Sequence, residues 1–312
     1  MSARKIISNF YRKSTLGYYT IKVFYEIYIL GLRLLPDEFV VKNAFKRHMG
    51  YSLDLKNPKT LNEKLNWLKL YDRKELYTTI ADKYAVRGYV KQKIGDKYLI
   101  PLFFETKNAK DLIPKNLPDS NFIIKTNHDS SGGLIVRDSS TIDWKKTQEK
   151  FSRLLKEDHY VVTREWQYKN ITRRIIVEQL LTTKEGNIPY DYKFLFFNGK
   201  LAFIIVDIDR FEANRSRNLY DSKWNLLPFE WKRPKGPHIE KPKNFKKMKK
   251  IAKKLARDFV CLRVDMYNID GKIYIGELTL HHSSGLSKFV QEEYDFKLGK
   301  LLNIENLQLS RK

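Results

Sequence analysis

The sequence predicts an α+β protein whose strands are mainly antiparallel. Three observations predict it. Apolar residues recur at helical spacing through residues 37–100. From Asn121 onward they come instead in short runs bounded by small and polar residues. Two pairs of these runs are joined by Asn198-Gly199 and Asp270-Gly271, dipeptides that suit two-residue hairpin turns.

The elements follow in order. Residues 17–36 are rich in Tyr, Ile and Leu but interrupted by Lys22, Glu26 and Arg33, so the span is too charged for a transmembrane helix. It reads either as an amphipathic helix packed on the protein's own body or as an interfacial helix on an anionic membrane, flanked by Arg4, Lys5, Arg12, Lys13 and Lys22. Thr60 precedes Leu61, Leu65 and Leu68, with Glu63 at the third helical position, a capping-box pattern. A second helix is expected from about Lys74 through Val90, and Gly95 ends a third short element. Phe122–Lys125 is a strand, Asp129–Gly133 a loop of small residues, and Leu134–Val136 a strand. Residues 143–157 are expected to be helical and Ile175–Glu178 a strand. Asp191–Asp207 forms one hairpin and Cys261–Leu280 another. A basic helix over 244–258, with Phe245, Met248, Ile251 and Leu255 on its buried side, precedes the second hairpin. A helix over 289–302 closes the pattern.

The chain has 312 residues, of which 42% are hydrophobic and 13% aromatic, enough apolar area to exclude a disordered chain. No fixed-period repeat is visible, which excludes a solenoid or propeller. The single cysteine, Cys261, cannot form an internal disulfide or a cysteine metal cluster and favours a reducing compartment. The net charge of +24 predicts attraction to polyanions: nucleic acid, anionic lipid or phosphorylated substrates. No nucleic-acid-binding signature accompanies it. No cleavable signal is read at the N-terminus, and the expected location is cytoplasmic, with the inner face of the plasma membrane as the site of any attachment.

Two clusters point to chemistry. Lys125 ends an apolar strand just before Ser130, Ser131, Gly132 and Gly133, small residues that let backbone N–H groups approach phosphate oxygens. The other reading is an ordinary hairpin turn. The second cluster is Arg263-Val264-Asp265 and Glu277-Leu278-Thr279. Antiparallel pairing across Asp270-Gly271 brings Asp265 near Glu277. Two inward carboxylates call for a cation, and Mg²⁺ on nucleotide phosphates would supply it. A salt-bridged sheet surface is the alternative. Asp207-Ile208-Asp209 spells the Asp-x-Asp of nucleotide-sugar glycosyltransferases, and Arg210, Arg215 and Arg217 behind it suit a carboxylate, a phosphate or a diphosphate-linked glycan, or a solvated face. His128, His281 and His282 lie in the motif loops at a spacing that does not suit zinc.

Arg263-Val264-Asp265, the Asp270-Gly271 turn, Glu277-Leu278-Thr279 and Ser284-Gly285 resemble the terminal metal motif of ATP-grasp ligases. Upstream, Asp82-Lys83, Phe122–Lys125 with Ser130–Gly133, and Val177-Glu178-Gln179-Leu180-Leu181 resemble that superfamily's opening Asp-Lys, phosphate loop and adenine hinge. Asn57–Lys64, Ala81–Arg87, Lys125–His128, Arg164-Glu165-Trp166, Asp191–Phe194, Asp209-Arg210-Phe211, Arg217–Asp221 and Gly276–Thr279 are similar to the TupA-like ATP-grasp family, linked to bacterial surface polysaccharide biosynthesis. Thr279 stands where general ATP-grasp ligases carry a metal-binding Asn, and His281-His282 replace the usual loop start.

The resemblance implies an ATP-grasp fold of two β-rich lobes. The expected segments are an N-terminal helical extension over 1–50, a helical linking subdomain over 51–120, lobe 1 over 121–190 and lobe 2 over 191–312. It implies ATP and Mg²⁺ as cofactors. Lys83 and Lys125 would hold phosphates, Ser130–Gly133 would cover them, and Glu178 and Leu181 would hold adenine, with Lys193 among the cofactor-binding residues. Asp265, Glu277 and Thr279 would face the metal. Arg263, with Arg217 and Arg210, would serve catalysis. The implied reaction is ligation of an amine or amino acid to a carboxylate on an acidic or phosphorylated glycan, itself free or lipid-linked. A glycan kinase of the same fold and a glycosyltransferase using Asp207 and Asp209 are the alternatives.

Overall fold

The computed structural model describes residues 15–129, 133–208 and 215–310. Helices come first: α1 (Thr15–Leu34), α2 (Asp37–Met49), α3 (Leu61–Tyr71), α4 (Glu75–Ala81) and α5 (Val86–Ile94). The capping box forms as the sequence predicts. Glu63 N donates to Thr60 Oγ1 at 3.1 Å, and Thr60 N donates to the Glu63 carboxylate at 2.9 Å. The single helix expected over 74–90 is instead two. Asp82 breaks it by accepting from Tyr84 N at 2.8 Å and Ala85 N at 3.2 Å, a local side-chain turn that outcompetes helix continuation.

The first sheet holds β1 (Leu102–Thr106), β2 (Phe122–Thr126), β3 (Leu134–Val136) and β4 (Ile175–Gln179) in the order β1-β4-β2-β3. β1 was not among the expected strands. Its pairing with β4 starts the sheet well before residue 121, so the boundary expected there falls inside this unit. Alternation divides the sheet's faces. Phe122, Ile124, Ile175 and Val177 are fully buried against Phe151 of α6 (Trp144–Leu154). Ile123, Lys125, Ile176 and Glu178 share the opposite face, because Ile123 pairs with Glu178 and Lys125 with Ile176. The short helix α7 (His159–Thr163) precedes β4.

The second sheet holds β5 (Asp191–Phe197), β6 (Lys200–Ile208), β7 (Ser216–Tyr220), β8 (Cys261–Ile269) and β9 (Lys272–Thr279) in the order β7-β6-β5-β8-β9. All named pairs in both sheets are antiparallel. Asn198 and Gly199 (φ 48° and 74°), and Asp270 and Gly271 (φ 50° and 84°), adopt the left-handed conformations that a tight hairpin requires. One face of this sheet packs on α8 (Phe245–Ala256) through Phe194, Val206, Val264 and Met266. Phe245, Met248, Ile251 and Leu255 of α8 are buried, as the basic helix's spacing predicts. The other face is split along the strands. Leu195, Phe197, Phe203, Ile205 and Leu219 join Leu61, Leu65 and Trp231 in a core, covered also by α9 (Glu293–Leu301). Further along the same strands and on the same face come Asp191, Lys193, Asp207, Arg217, Arg263 and Asp265. The chain's final helix is α10 (Glu305–Leu309).

Candidate active site

A cleft opens between the two sheets. Ile123, Ile135, Leu180, Leu181, Ile188, Pro189 and Ile100 give it apolar walls, and Lys125 and Glu178 give it a charged end. Tyr267 and Gly276 close it from the second sheet. Gly276 is the extra residue of a bulge: Asp265 pairs with Glu277 and Met266 with Ile275, leaving 276 unpaired. A Cβ at 276 would lie 2.9 Å from the Tyr267 ring, so glycine lets that ring lie against the backbone. A narrow apolar slot beside a polar edge fits a flat aromatic base. Leu181 and Glu178, the expected adenine residues, both line it.

Two lysines stand at the charged end. Lys125 Nζ lies 2.5 Å from Glu178 Oε2, and Arg87 Nη1 lies 3.3 Å from the other carboxylate oxygen. Lys83 donates to the Asp129 carbonyl. Burial lowers the Lys83 pKa, and the Glu277 and Asp129 carboxylates oppose that shift. Lys83 therefore feels Glu277 from the second sheet and Lys125 from the first. Asn127 fixes this geometry. Its side chain donates to Asp82 Oδ1 at 2.8 Å and to the Thr172 carbonyl at 2.9 Å, and its carbonyl accepts from Lys83 N at 3.0 Å. Ser130, Ser131 and Gly132 lie outside the described residues. At Gly133 a Cβ would meet the Ile124 carbonyl at 2.8 Å, so only glycine allows so close an approach to β2.

The second sheet brings the remaining residues together. Register places Arg263 opposite Thr279 and Asp265 opposite Glu277, all on one face. The Arg263 guanidinium grips both Asp265 oxygens, at 2.6 and 2.7 Å, and reaches Glu277 at 3.3 Å. It also donates to His282 Nδ1 at 2.6 Å. Burial alone would lower the Arg263 pKa, but Asp265 and Glu277 outweigh it and raise it, so the group stays charged. Burial, helped by Arg263, Arg217, Lys232 and Lys193, holds His282 neutral, well below its ordinary pKa.

Lys193, expected among the cofactor-binding residues, does not line the apolar cleft but lies among carboxylates of the second sheet. It contacts Asp191, with Asp265 at 3.3 Å and Asp207 at 3.6 Å. Asp207 is also held by Arg217, at 2.6 and 3.1 Å, and by Arg233 at 3.4 Å. Burial raises the Asp207 pKa, yet Lys193, Arg217 and Arg233 overcome it and keep the carboxyl well below the usual range. Arg217 is thus paired with Asp207 through two hydrogen bonds. Arg210 and Asp209 lie outside the described residues.

The loop after β9 is pinned from α3. Lys69 donates to Ser284 O at 3.0 Å and Oγ at 3.2 Å, and Asn66 donates to Gly285 O at 2.7 Å. Burial lowers Lys69 to about 8. Ser283 and Ser284 are left-handed (φ 49° and 58°), backbone strain that such contacts hold in place beside the site. Gln167 donates to His281 Nδ1 at 3.2 Å.

Among the described residues no three His, Cys, Asp or Glu side chains form a ready-made metal cluster. Mg²⁺ held through phosphates needs only one or two carboxylates and hard oxygen donors. Asp265, Glu277 and Thr279 supply that set. The Thr279 hydroxyl is buried without a hydrogen-bond partner, and Glu277 is the more exposed carboxylate. The residues present fit the ion.

Sequence reasoning quoted Arg87, Asn127, Asp191, Ile123 and Gly276 only within the family-like segments, without a role for each, and did not single out Arg233, Ile135 or Tyr267. Alternation along β2 was the available signal for Ile123, which must share a face with Lys125.

A family model described as TupA-like ATPgrasp matches residues 63–303. Comparison with curated proteins gave no match. Among solved structures, the chain is similar to the L-amino acid ligase from Bacillus licheniformis, at 14% identity and a TM-score of 0.45, covering 86% of this chain and 62% of that one. It is also similar to D-alanine–D-alanine ligase from Bacillus anthracis, at 15% and 0.41, covering 74% and 70%. With an ADP complex of N5-carboxyaminoimidazole ribonucleotide synthetase the values are 14% and 0.41, covering 66% of this chain and 46% of that one, so the chain spans about half of that protein's length.

Proposed function

The chain belongs to the TupA-like ATP-grasp family, and on that premise we propose that it is an ATP-dependent, ADP-forming carboxylate–amine ligase. Its acceptor is an acidic glycan destined for the bacterial cell surface, and its product is an amide. One observation carries the reading: the Arg263 fork, with Asp265 and Glu277, stands on the second sheet, while Lys125 stands on the first and Lys83 is tied to the Asn127 and Asp129 carbonyls just after it. Phosphate chemistry would take place between those charges.

The base enters the apolar slot against Ile123, Ile135 and Leu181. Lys83 and Lys125 leave their present partners for phosphate oxygens, each a point charge on a flexible stem. Glu277 and Asp265 would hold Mg²⁺, which when bound would offset phosphate charge. An acceptor carboxylate oxygen attacks the γ-phosphorus and ADP departs. The amine nitrogen then attacks the acyl carbon, phosphate leaves, and the amine loses a proton. Arg263 is positioned to stabilise charge that develops on the transferring group. Its hydrogen bond to His282 and its grip on Asp265 fix its plane beforehand.

Hydroxylamine tests the reaction class, because it is small enough to replace the amine. Enzyme, ATP, Mg²⁺ and a uronic-acid glycan with hydroxylamine are expected to give a hydroxamate and equimolar ADP. A stable phosphorylated glycan without hydroxamate would overturn the ligase reading in favour of a kinase.

A further inference from the structure

The outer side of α1 is a solvent-exposed apolar face. Phe24, Ile27, Leu30 and Leu34 are 74%, 63%, 59% and 80% exposed. At 100° per residue these four lie on one side of the helix, while the half-buried Tyr25, Ile29 and Leu32 lie on the other. Glu26 and Arg33, seven residues apart, share one edge and leave the face itself uncharged.

This face is held outward by the body of the protein. The buried Arg164 donates to the carbonyls of Leu32, near the end of α1, and, at 3.2 Å, of Leu35 just after it. It also lies 3.5 Å from Asp37, which accepts from Tyr160 at 2.8 Å and pairs with Arg73 at 2.8 Å. Polar contacts therefore dock the helix end, and Phe24, Ile27, Leu30 and Leu34 stay exposed.

Charge selects the occupant. Residues 1–50 contain nine lysines and arginines against three acidic residues, and the whole chain carries +24. Lys42, Lys46 and Arg47 of α2 are exposed just beyond α1. Two copies of so basic a chain repel each other, whereas an anionic lipid surface attracts them. No described helix is long and apolar enough to cross a membrane. An apolar helix face with basic surroundings lies in the headgroup layer instead. We propose that the face of α1 formed by Phe24, Ile27, Leu30 and Leu34 seats the protein on an anionic lipid bilayer.

Co-sedimentation of the full chain with phosphatidylcholine vesicles containing about 30% phosphatidylglycerol tests this. The wild type is expected to sediment with them, and less so as salt rises from about 0.05 M to about 0.5 M. Ile27→Glu with Leu34→Glu is expected to reduce vesicle partition about tenfold or more at an unchanged melting temperature. Phe24→Ser with Leu30→Ser, a milder pair, is expected to shift it the same way. Wild type that stays in the supernatant, or variants that sediment like wild type, would overturn the proposal. So would a wild-type dimer in analytical ultracentrifugation that the variants dissociate, which would assign the face to a second copy. Melting-temperature protection by ATP is expected to be the same in all these proteins, so this outcome is separate from that of the ligase reading.

Discussion

Lys125 Nζ lies 2.5 Å from Glu178 Oε2, diagonally across the β2–β4 pair, on the one face of the first sheet that looks into the cleft. The carboxylate also holds Arg87, so one acid serves two cations. Both ends of the Lys125 pair are largely buried. Removing the shared acid takes the carboxylate from Lys125 and leaves Arg87 with the Ile100 carbonyl at 2.8 Å; breaking a buried ion pair costs about 3–5 kcal/mol. Glu178→Ala is therefore expected to lower stability by an amount of that order, measured by urea unfolding. A loss below about 1 kcal/mol would mean that the pair behaves as a surface contact.

Arg263 makes four contacts with three partners through a planar fork. A lysine replaces that fork with a single point charge. Arg263→Lys is expected to lower kcat by about a hundredfold or more, with a much smaller change in ATP affinity. Steady-state ADP release checks the first part and calorimetric titration the second.

His281 and Asp207 are among the buried groups that shape the acid limb of stability. His281 is lowered to about 3 by burial, with Lys69 adding to the effect. Its unfolded value is about 6.5. Stability from the neutral ring is thus complete above about pH 6.5 and is lost as pH falls toward about 3, at about 1.4 kcal/mol per unit. Asp207 is also depressed in the folded state, and its contribution is complete above about pH 4 and lost below it. His281→Gln keeps an acceptor for Gln167 and is expected to flatten the stability profile between about pH 6.5 and 4. Asp207→Asn is expected to sit below wild type by a constant amount above about pH 5 and to converge with it below about pH 4. Chemical unfolding at stepped pH checks both.

Much of this site was legible in the sequence. Alternation placed Arg263 with Asp265 and Glu277 with Thr279, and the Asp270-Gly271 turn fixed which carboxylates meet. Thr60 and Glu63 announced their helix because a capping box is local. What escaped was what depends on pairing at a distance. β1 has no pattern of its own, and β4 is what makes it a strand. Lys193 was placed among the cofactor-binding residues by the resemblance alone, because residue type cannot say which charges lie around it in the folded sheet. Three carboxylates from β5, β6 and β8 surround it. The break at Asp82 was hidden because helix and side-chain turn compete closely, and Asn127, forty-five residues on, helps decide between them.

Gly299 of α9 meets the start of α3 without a side chain. A Cβ there would lie 2.2 Å from the Lys59 carbonyl and 2.8 Å from the Thr60 carbonyl carbon, both backbone. Helix propensity favours alanine over glycine by about 1 kcal/mol. Overpacking against backbone opposes it by about 1–3 kcal/mol or more. Gly299→Ala is expected to lower the melting temperature, and a rise would show that α9 shifts freely.

The most direct test of the account is the melting temperature of wild type, Lys125→Ala and Glu277→Gln with and without ATP and Mg²⁺. A ligand that binds only the native state raises it by mass action, by about 2.7 kcal/mol of stability at a hundred times its Kd. One variant removes a charge from the first sheet and the other from the second, so a nucleotide held between them must feel both. The account predicts a clear ATP-dependent rise for wild type that Lys125→Ala and Glu277→Gln each abolish. A rise of the same size in all three proteins would contradict it.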